Sequence, residues 1–569
     1  MVEDIVFGPP SPATDEWEGG KVKDRVRALT GLNGRYFGPS QIYWQYNTIE
    51  KDSQRVVKAA RFEVLRMHLR ELLSELSFAC LEGDESTEVM GLSYDSRRVR
   101  PGDLFVAVRG FHVDGHDFIP EAVQRGAGAI VAETPPTSHV KVPWVQVSDS
   151  RVALARLAAA FYGHPARRLR VIGVTGTDGK TTTTTMISAV LEAAGYRTGY
   201  MTTVSFKVGE RVWDNDTRQS TPEAPEVQAL LADMVTAGCD YAVIESTSHG
   251  LALHRLDGCE YDVAVLTNVT HEHLDFHGTV EAYRLAKARL FEMLGESVNK
   301  GIRKSAVVNL DDPHADLFIA RAPDQVVTYA RHYPTAMIRA HRVAASPSGL
   351  TFVADTPWGS TTFTLPLIGD FNVSNALAAL AVGLSQGISL DICRDALASF
   401  RGVRGRMEVI DCGQPFTVIV DYAHTPEAFE KVMGIVRPLT RGRLIAVFGS
   451  AGERDRQKRP LQGEIAGRYC DFLVLTDEDP RLEDRWAILD EIAVGVERAG
   501  KREGEGYVKI ADRAEAILAA LRQAGPGDMV LLLGKGHEGS ILYAAEKRPW
   551  DERAVAIAAL RELGYREPC

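Results

Sequence analysis

The chain contains few cysteines and no closely spaced pair of them. Seven cysteines are spread over 569 residues, and no two form a C-x-x-C pair. Such an odd, dispersed set indicates neither a disulfide framework nor a zinc site, and it favours a reducing compartment. The chain also lacks an apolar run of the ~18 residues that a membrane-spanning helix needs, and its acidic, proline-rich first residues do not resemble a secretion signal. We therefore expect a cytoplasmic protein without membrane insertion.

An excess of positive charge is missing as well. The net charge of −11 argues against a nucleic-acid partner. What is present is a globular composition, with 45% hydrophobic and 25% charged residues. Because 569 residues are too many for a single hydrophobic core, the length predicts about three or four domains.

The apolar runs divide the chain into four segments. Residues 1–66 show no sustained period, so we expect a disordered extension there, or a true start of translation at Met67. Beyond them, apolar strands alternate with helical stretches, which predicts α/β domains at 67–167, 168–400 and 401–569. Almost wholly apolar strands, typical of a buried parallel sheet, are predicted at residues 104–108, 171–175, 241–245, 262–267, 416–420, 443–448, 472–475 and 529–533.

The most informative run is Val171-Ile-Gly-Val-Thr-Gly-Thr-Asp-Gly-Lys180-Thr-Thr, a β-branched strand followed by a glycine-rich turn and Lys-Thr. Glycines let backbone N–H groups approach phosphates, a helix starting near Lys180 adds its positive end, and Thr181 offers a hydroxyl to Mg²⁺. The spacing is shorter than the usual G-x4-G-K-[ST] loop. We predict a nucleotide-phosphate site here, the alternative being an ordinary junction between a strand and a helix.

Two polar loops follow the next predicted strands. Glu245-Ser-Thr-Ser-His249 ends one strand, and the other is followed by a loop that contains His271, His273 and His277. Ligand sites in such sheets lie beyond the carboxyl ends of the strands, where a carboxylate is a natural Mg²⁺ partner and an imidazole can supply a nitrogen ligand. The alternative is that Glu245 is a solvated loop acid and the histidines are loop polar groups.

Nine segments, in the same order, carry a resemblance that runs from Met67 to about Glu562. They are GTDGKTT (176–182), ESTSHGL (245–251), TNVTHEHLDFHG (267–278), Lys287, GDFNVSNALAA (369–379), GRME (405–408), DYAHTP (421–426), GSAGERDRQKRP (449–460) and GKGHE (534–538). Together they resemble the Mur ligases of the MurE type. The resemblance implies an amino-terminal uridine-nucleotide-binding α/β domain, a central P-loop-type ATPase domain with a mostly parallel sheet, and a carboxyl-terminal Rossmann-like α/β domain that binds an amino acid.

The same resemblance implies an activity. These enzymes are ATP-dependent ligases of peptidoglycan precursor synthesis, and they join a diamino acid to UDP-N-acetylmuramoyl-L-alanyl-D-glutamate. By resemblance, the catalytic residues are Lys180, His273 and Lys287. Lys287, which its helical pattern alone places on a solvated face, matches the lysine that the family carbamylates, and the resulting anion can face Mg²⁺. We expect ATP and Mg²⁺ as cofactors, the UDP-linked dipeptide and a free diamino acid as partners, and a monomer.

The resemblance also assigns three sets of binding residues. ATP contacts are implied for Gly176, Thr177, Asp178, Gly179, Lys180, Thr181, Thr182, Asn372, Arg406, Asp421 and His424. Metal contacts are implied for Thr181, Glu245, His273 and carbamylated Lys287. Substrate contacts are implied for Ser96, Ser220, Thr221, Thr247, Arg255, Arg454, Glu478, Asp479, Pro480, Arg481, Gly534 and Glu538.

The identity of the added amino acid depends on one short motif. Enzymes of this type that use meso-diaminopimelate carry Asp-Asn-Pro-Arg, whereas this chain has Glu478-Asp479-Pro480-Arg481. Arg481 can still pair with a distal carboxylate, but Asp479 replaces a neutral amide with an anion, which favours a side chain that ends in a bare ammonium. We place L-lysine or L-ornithine slightly ahead of meso-diaminopimelate. Alternatively, Asp479 pairs with Arg481 and discriminates nothing.

Two rival functions remain from the sequence. Folylpolyglutamate synthases share the short phosphate loop but lack the first domain with Tyr94-Asp-Ser-Arg97 and the GKGHE segment. A non-catalytic homologue would keep the fold and be expected to lose some of Lys180, Glu245, His273 and Lys287.

Overall fold

The computed structural model describes residues 66–110, 113–136, 141–217, 219–270, 274–323, 325–544 and 546–566. The expectation for residues 1–66 therefore lies outside the described residues, except at Arg66. Three large sheets follow one another along the described chain, each covered by helices, and they confirm an α/β fold with three domains. The boundaries at residues 67, 168 and 401 remain predictions, and we use them below to name the first, central and third domains.

The first domain contains a five-stranded sheet. Its elements are β1 (Met67–His68), α1 (Leu69–Leu73), β2 (Cys80–Glu82), β3 (Glu88–Val89), β4 (Gly91–Ser93), β5 (Asp103–Val106), α2 (Ile119–Gln124), β6 (Ala129–Ala132), β7 (Trp144–Gln146) and α3 (Ser150–Phe161), with short 3-10 helices at Ser96–Arg98, Gly115–Phe118 and Pro165–Arg168. The strand order is β2-β7-β6-β5-β4, with β4 to β7 parallel. All residues of β5 and β6 are buried, as their apolar sequence predicts.

The central domain contains an eleven-stranded sheet. Its elements are β8 (Arg170–Thr175), α4 (Lys180–Ala193), β9 (Thr198–Met201), β10 (Ser205–Val208), β11 (Arg211–Asp214), α5 (Ala224–Thr236), β12 (Tyr241–Glu245), α6 (Ser248–Ala252), β13 (Val263–Leu266), α7 (Leu274–His277), α8 (Val280–Glu296), β14 (Ser305–Asn309), α9 (Ala315–Ile319), β15 (Gln325–Ala330), β16 (Ile338–Ser346), β17 (Gly349–Thr356), β18 (Gly359–Leu365), α10 (Phe371–Ser385) and α11 (Leu390–Ser399). The order is β11-β10-β9-β12-β8-β13-β14-β15-β16-β17-β18. The seven neighbouring strands β9, β12, β8, β13, β14, β15 and β16 are parallel. Antiparallel strands extend the sheet at both edges, β10 and β11 at one and β17 and β18 at the other.

Successive residues of β8 enter different cores. Ile172 and Val174 pack with α4 and α10, whereas Val171 packs with α5 and α8 on the opposite face. The register pairs Glu245 with Val174 and Leu266 with Thr175, so the three carboxyl ends meet at one edge. The loops after these strands are thereby brought together.

The third domain contains a six-stranded sheet of order β19-β20-β24-β21-β22-β23, parallel except at β19. Its elements are β19 (Glu408–Ile410), β20 (Thr417–Asp421), α12 (Pro426–Val436), β21 (Leu444–Phe448), α13 (Lys458–Tyr469), β22 (Phe472–Leu475), α14 (Arg485–Arg498), β23 (Tyr507–Lys509), α15 (Arg513–Gln523), β24 (Met529–Leu533), β25 (Ser540–Tyr543), β26 (Glu546–Pro549) and α16 (Glu552–Glu562), with a 3-10 helix at Arg437–Leu439.

The described cysteines and helices bear on two expectations from the sequence, which concern a disulfide framework and a membrane-spanning helix. Five described cysteines are free thiols, and Cys412 is disulfide-bonded. Within the described residues, no helix combines the length and apolar character needed to cross a bilayer.

Candidate active site

The phosphate loop joins β8 to α4, which begins at Lys180 as predicted. Gly176 and Gly179 have φ angles of 152° and 81°, and a Cβ atom would lie 1.8 Å from the Thr267 hydroxyl oxygen at Gly176 and 2.3 Å from Asn375 Oδ1 at Gly179. Both positions therefore require glycine. The ammonium group of Lys180 turns back on the loop and donates to the carbonyl oxygens of Gly176 and Thr177, at 3.0 and 2.7 Å.

Glu245, at the end of β12, is only 2% exposed. Its Oε2 atom accepts hydrogen bonds from the Thr181 hydroxyl at 2.7 Å and from the Thr203 backbone N–H at 2.9 Å, and its Oε1 atom accepts one from the Thr203 hydroxyl at 2.9 Å. All three donors are neutral, so they fix the carboxylate without cancelling its charge. The alternative of a solvated loop acid is wrong for Glu245.

Lys287 lies on α8 and is 1% exposed, so the solvated position that its helical pattern suggests is wrong. Its Nζ atom donates to the Gly176 carbonyl oxygen at 2.6 Å and lies 4.3 Å from the centre of the Tyr283 ring. The Tyr283 hydroxyl is in turn 3.0 Å from that of Thr177. Lys287 therefore reaches the same loop carbonyl as Lys180.

A cavity of about 1090 Å³ separates the phosphate loop from the third domain. Fourteen of the residues implied by the resemblance line it, namely Thr177, Asp178, Gly179, Lys180, Thr181, Thr182, Ser220, Glu245, Thr247, Lys287, Asn372, Arg406, Asp421 and His424. Gly176 lies directly behind them and holds both lysines. The structure thus brings together residues separated by almost 250 positions in sequence.

The third-domain wall of the cavity carries Arg406, Asp421 and His424. Burial raises the pKa of Asp421 despite the attraction of Arg406 and hydrogen bonds from the backbone N–H groups of Met407 and Ala423, at 2.7 and 2.8 Å. Burial lowers the pKa of His424, whose Nδ1 atom is 3.0 Å from the Tyr422 carbonyl oxygen. The imidazole is therefore neutral at pH 7.

Asn372 lies in the first turn of α10, at the other end of the cavity. Its side-chain amide donates to the Ile368 carbonyl oxygen at 2.9 Å and accepts a hydrogen bond from Asn375 at 3.0 Å. Asn375 also accepts one from the Thr183 hydroxyl at 3.3 Å. A chain of amides thus links α10 to the helix that follows the phosphate loop.

Four of the predicted substrate residues lie near Glu245, and the resemblance assigns them to the muramoyl dipeptide. Ser220 and Thr247 line the cavity, and the hydroxyl of Thr221 donates to the Glu245 carbonyl oxygen at 3.0 Å. Arg255 donates to the Thr221 carbonyl oxygen at 3.0 Å but does not line the cavity. Ser96 is more distant, because it is buried in the first domain with its hydroxyl 2.7 Å from Glu121 Oε2.

The remaining predicted substrate residues lie in the third domain. Three of them form, with Lys535, a group that we call the acidic cluster and define as Glu478, Asp479, Lys535 and Glu538. The fully buried ammonium of Lys535 donates to Asp479 Oδ1 at 2.9 Å and to Glu538 Oε2 at 2.7 Å. Asp479 Oδ1 also accepts the Leu542 backbone N–H at 2.9 Å. Asp479 is therefore paired with Lys535, and the alternative of an Asp479–Arg481 pair is wrong.

Glu478 differs from its neighbours because its Oε2 atom is buried and accepts no hydrogen bond among the described residues. Burial raises the pKa of Glu478 to about 7, although Lys458 and Lys535 attract the charged form. Gly534, with a φ angle of 102°, lies next to this carboxyl group, and Arg481, with a φ angle of 55°, follows in the loop after β22. Pro480 is buried within the same loop, whereas Arg454 is exposed. The cluster is joined to the cavity by Tyr422, whose hydroxyl donates to Glu538 Oε1 at 3.5 Å.

The metal assignment is only partly described. His273 lies outside the described residues, and within them no three His, Cys, Asp or Glu side chains cluster as a metal site would require. The oxygens of Thr181 and Glu245 are ligands of the kind that Mg²⁺ prefers, but the ammonium form of Lys287 is not.

Several cavity residues were missed by the sequence analysis. Asn309 ends β14, Asp311 and Asp312 follow it, and all three line the cavity together with Arg331. Asp312 Oδ2 accepts the Val269 backbone N–H at 2.5 Å, and Asn309 donates to the Thr267 carbonyl oxygen at 2.7 Å. The run Asn309-Leu-Asp-Asp after an apolar segment was the available signal, since polar residues at a strand end mark the ligand edge of such sheets.

Comparison with known proteins agrees with this geometry. Residues 88–162 match the catalytic domain of the Mur ligase family, residues 174–383 the Mur ligase middle domain, and residues 405–536 the Mur ligase glutamate ligase domain. A UDP-N-acetylmuramyl-tripeptide synthetase of Roseiflexus sp. is 60% identical over 508 residues, which cover 88% of this chain and 100% of the relative. The chain belongs to the Mur ligase family.

Two further similarities place it among Mur ligases of the MurE type. A UDP-N-acetylmuramoyl-L-alanyl-D-glutamate--2,6-diaminopimelate ligase of Geobacillus kaustophilus is 44% identical over 499 residues, covering 88% of this chain and 100% of the relative. A solved structure of a ligase with the same description is 32% identical, with a TM-score of 0.63, and covers 88% of this chain and 99% of that one. The chain is therefore an ATP-dependent ligase, and the match to the first domain argues against a folylpolyglutamate synthase.

Proposed function

We propose that this Mur ligase joins a diamino acid to the γ-carboxylate of D-Glu in UDP-N-acetylmuramoyl-L-alanyl-D-glutamate, a step of peptidoglycan precursor synthesis. The observation that carries the proposal is the cavity itself. It sets Lys180, Glu245 and Lys287 of the central domain against Arg406, Asp421 and His424 of the third domain. Those are the residues that the resemblance assigns to ATP and metal. We also keep a soluble, cytoplasmic monomer as a prediction.

The proposed reaction begins with phosphoryl transfer. An oxygen of the γ-carboxylate attacks the γ-phosphorus of ATP, the bond to the β-phosphate oxygen breaks, and an acyl phosphate and ADP result. Lys180 and the backbone N–H groups of residues 179–182 stabilise the charge that develops on the phosphoryl oxygens. To do so, Lys180 must leave the Gly176 and Thr177 carbonyl oxygens that it contacts in the structure.

The second step forms the amide. The amine of the incoming amino acid attacks the acyl carbon, inorganic phosphate leaves with the bonding electron pair, and the nitrogen loses a proton. Because an acyl phosphate is readily hydrolysed, the third-domain wall that carries Arg406, Asp421 and His424 has the additional role of excluding water.

Thr181 and Glu245 would hold Mg²⁺, because both present oxygen atoms at the phosphate loop. When bound, Mg²⁺ supplies positive charge next to the transferring phosphoryl group. Lys287 fits such a site only as a carbamate, which replaces its ammonium with two anionic oxygens. His273 stays a proposed catalytic and metal-binding residue.

For the amino acid, we place L-lysine or L-ornithine slightly ahead of meso-diaminopimelate. Lys535 and the Leu542 N–H both occupy Asp479 Oδ1, as they would occupy the oxygen of an asparagine amide. The remaining atom is then Oδ2, an acceptor that suits an ammonium, where asparagine would present a donor that suits a carboxylate. The pairing with Lys535 reduces the negative charge that Asp479 presents, which is why the preference is small.

The alternative substrate has support of its own. Arg481 is retained and can pair with a distal carboxylate, and relatives at 44% and 41% identity are described as diaminopimelate ligases. Glu478, Pro480, Gly534, Glu538 and Arg454 remain proposed contacts in either case.

A ligation assay tests the function and the substrate together. Purified protein is supplied with MgATP, the UDP-linked dipeptide and, in parallel, L-lysine, L-ornithine or meso-diaminopimelate, and the product is identified by mass. We expect phosphate release that requires the UDP-linked dipeptide, with the highest kcat/KM for lysine or ornithine. Phosphate release with a folate substrate instead, or no release with any amino acid, would refute the function. A preference for meso-diaminopimelate would refute only the substrate choice.

A further inference from the structure

Asp178 is an unusual residue for the place it occupies. It lies between Thr177 and Gly179 in a loop whose backbone N–H groups and following helix attract anions, and a carboxylate there repels phosphates. Its backbone is fixed, because its N–H donates to Asn268 Oδ1 at 2.9 Å and its carbonyl oxygen accepts the Thr267 hydroxyl at 2.7 Å. The carboxylate is therefore anchored at the loop through its backbone, and 59% of the side chain is exposed.

A lysine of the third domain forms an ion pair with Asp178. Lys431 Nζ, on α12 of the third domain, lies 3.0 Å from Asp178 Oδ2 and so bridges the cavity that both residues line. The buried face of α12 consists of Phe429, Val432, Met433 and Val436, at the spacing of one helical face. Lys431 is on the opposite face, so packing of the third domain does not depend on it.

We propose that Lys431 is a positioning residue for nucleotide binding, which neutralises Asp178 when the third domain closes over the phosphate loop. ATP then binds with full affinity only to the closed arrangement, because in an open one the unpaired Asp178 carboxylate repels the phosphates. The coupling acts through charge and requires no contact between Lys431 and the nucleotide. It rests on the proposed placement of the ATP phosphates at residues 176–182.

The size of the effect follows from the exposure of the pair. Lys431 and Asp178 are each about 60% exposed, and an isolated ion pair of this kind contributes little to stability. The phosphates add a third, highly charged group, so we expect the effect in nucleotide affinity and not in the apo protein. The effect on nucleotide affinity should weaken as salt is raised, because at 0.5 M salt the screening length is on the order of a few Å and all three charges are screened.

The test is a double-mutant cycle on the dissociation constant of MgADP, measured by calorimetry with the full chain. Lys431→Met should weaken binding about fivefold, as expected for one partly screened charge pair, and Lys431→Arg should restore it. Asp178→Asn should bind MgADP at least as tightly as the wild type. In the Asp178→Asn background, Lys431→Met should change the dissociation constant by less than about twofold.

Arg404 provides the matched control for loss of an ion pair between domains. It bridges Asp214 of the central domain and Asp551 of the third domain at 3.0 Å each, and it is not among the residues that line the cavity. Any effect of Arg404→Gln should be the same with Asp or Asn at position 178. Melting temperatures of all the variants without nucleotide should agree with the wild type.

Three results would overturn the inference. They are an equal loss of affinity from Lys431→Met in both backgrounds, no loss in either, or weaker binding by Asp178→Asn alone. Failure of the proposed function looks different, because then MgADP would bind equally well to Lys180→Ala, whatever occupies positions 178 and 431.

Discussion

The charged side chains of the phosphate loop and those of the acidic cluster have opposite kinds of partners. Among the described residues, Lys180 and Glu245 are held by neutral groups, namely backbone carbonyl oxygens, hydroxyls and an N–H group. In the acidic cluster, Lys535 is held between Asp479 and Glu538, so the charges offset one another. The phosphate loop therefore keeps its full charge for a highly charged ligand. In the acidic cluster only a small net charge remains, which suits discrimination between similar zwitterions.

The largest expected effect is at the loop. Lys180→Ala should lower kcat by about 10⁴-fold, because no acid among the described residues pairs with the ammonium and its loss removes stabilisation of the transferring phosphoryl group. Melting temperature should be unchanged, since Lys180 is only partly buried. Turnover in the ligation assay is compared with that of Lys547→Ala, an exposed lysine in β26. Turnover near the wild-type value would contradict the loop assignment.

Lys287→Ala should lower kcat by about 10³-fold, the cost of losing one anion that faces Mg²⁺ if the residue is carbamylated. A small carboxylic acid added to the assay should restore part of the activity, because it supplies the missing anion. Lys287→Arg keeps a cation and cannot be carbamylated, so it should stay inactive. Full activity of the arginine variant would show that Lys287 acts as an ammonium.

These two predictions also show where the sequence was sufficient. The apolar strands 171–175, 241–245 and 529–533 were predicted to within one residue, because buried parallel strands are apolar throughout. The loop residues were found for a similar reason, since Gly176 to Thr181 are adjacent in the chain. Local patterns are enough when the structure that they specify is local.

Other features depended on contacts that no local pattern records. Lys287 is buried and donates to Gly176, 111 positions away, and the partner of Asp479 is Lys535, 56 positions away. The strands β16 to β18 were missed because they are half-exposed and carry many polar residues, so their alternation is weak. His273 and the domain boundaries remain predictions.

A smaller effect is expected in the acidic cluster, from Glu478. Because burial raises the folded-state pKa of Glu478 to about 7, its contribution to stability is present below the unfolded pKa of 4.5 and is lost as the pH rises through 7. Relative to the wild type, Glu478→Gln should therefore gain stability between pH 5 and pH 8, by about 3 kcal/mol. Urea unfolding at both pH values measures the difference. Parallel curves for the two proteins would show that Glu478 is ionised throughout.

The smallest effect is expected for Asp479→Asn. It should move the ratio of kcat/KM values toward meso-diaminopimelate by up to about tenfold, since Lys535 offsets part of the charge that is removed. Asp490→Asn, on the exposed surface of α14, serves as the control for a change of net charge. The same ratio for lysine, ornithine and meso-diaminopimelate before and after the change would rule out Asp479 as the selector.

The close approach of Gly179 to Asn375 has a consequence for nucleotide length. Asn375 donates to Asn372, for which the resemblance implies an ATP contact, so that contact is linked to the turn that we propose receives the phosphates. The spacing between the two contacts is therefore set by the packing of α4 against α10. A methyl group at residue 179 would displace Asn375 and so disturb both contacts, which means that this packing fixes the length of nucleotide that can reach from one contact to the other.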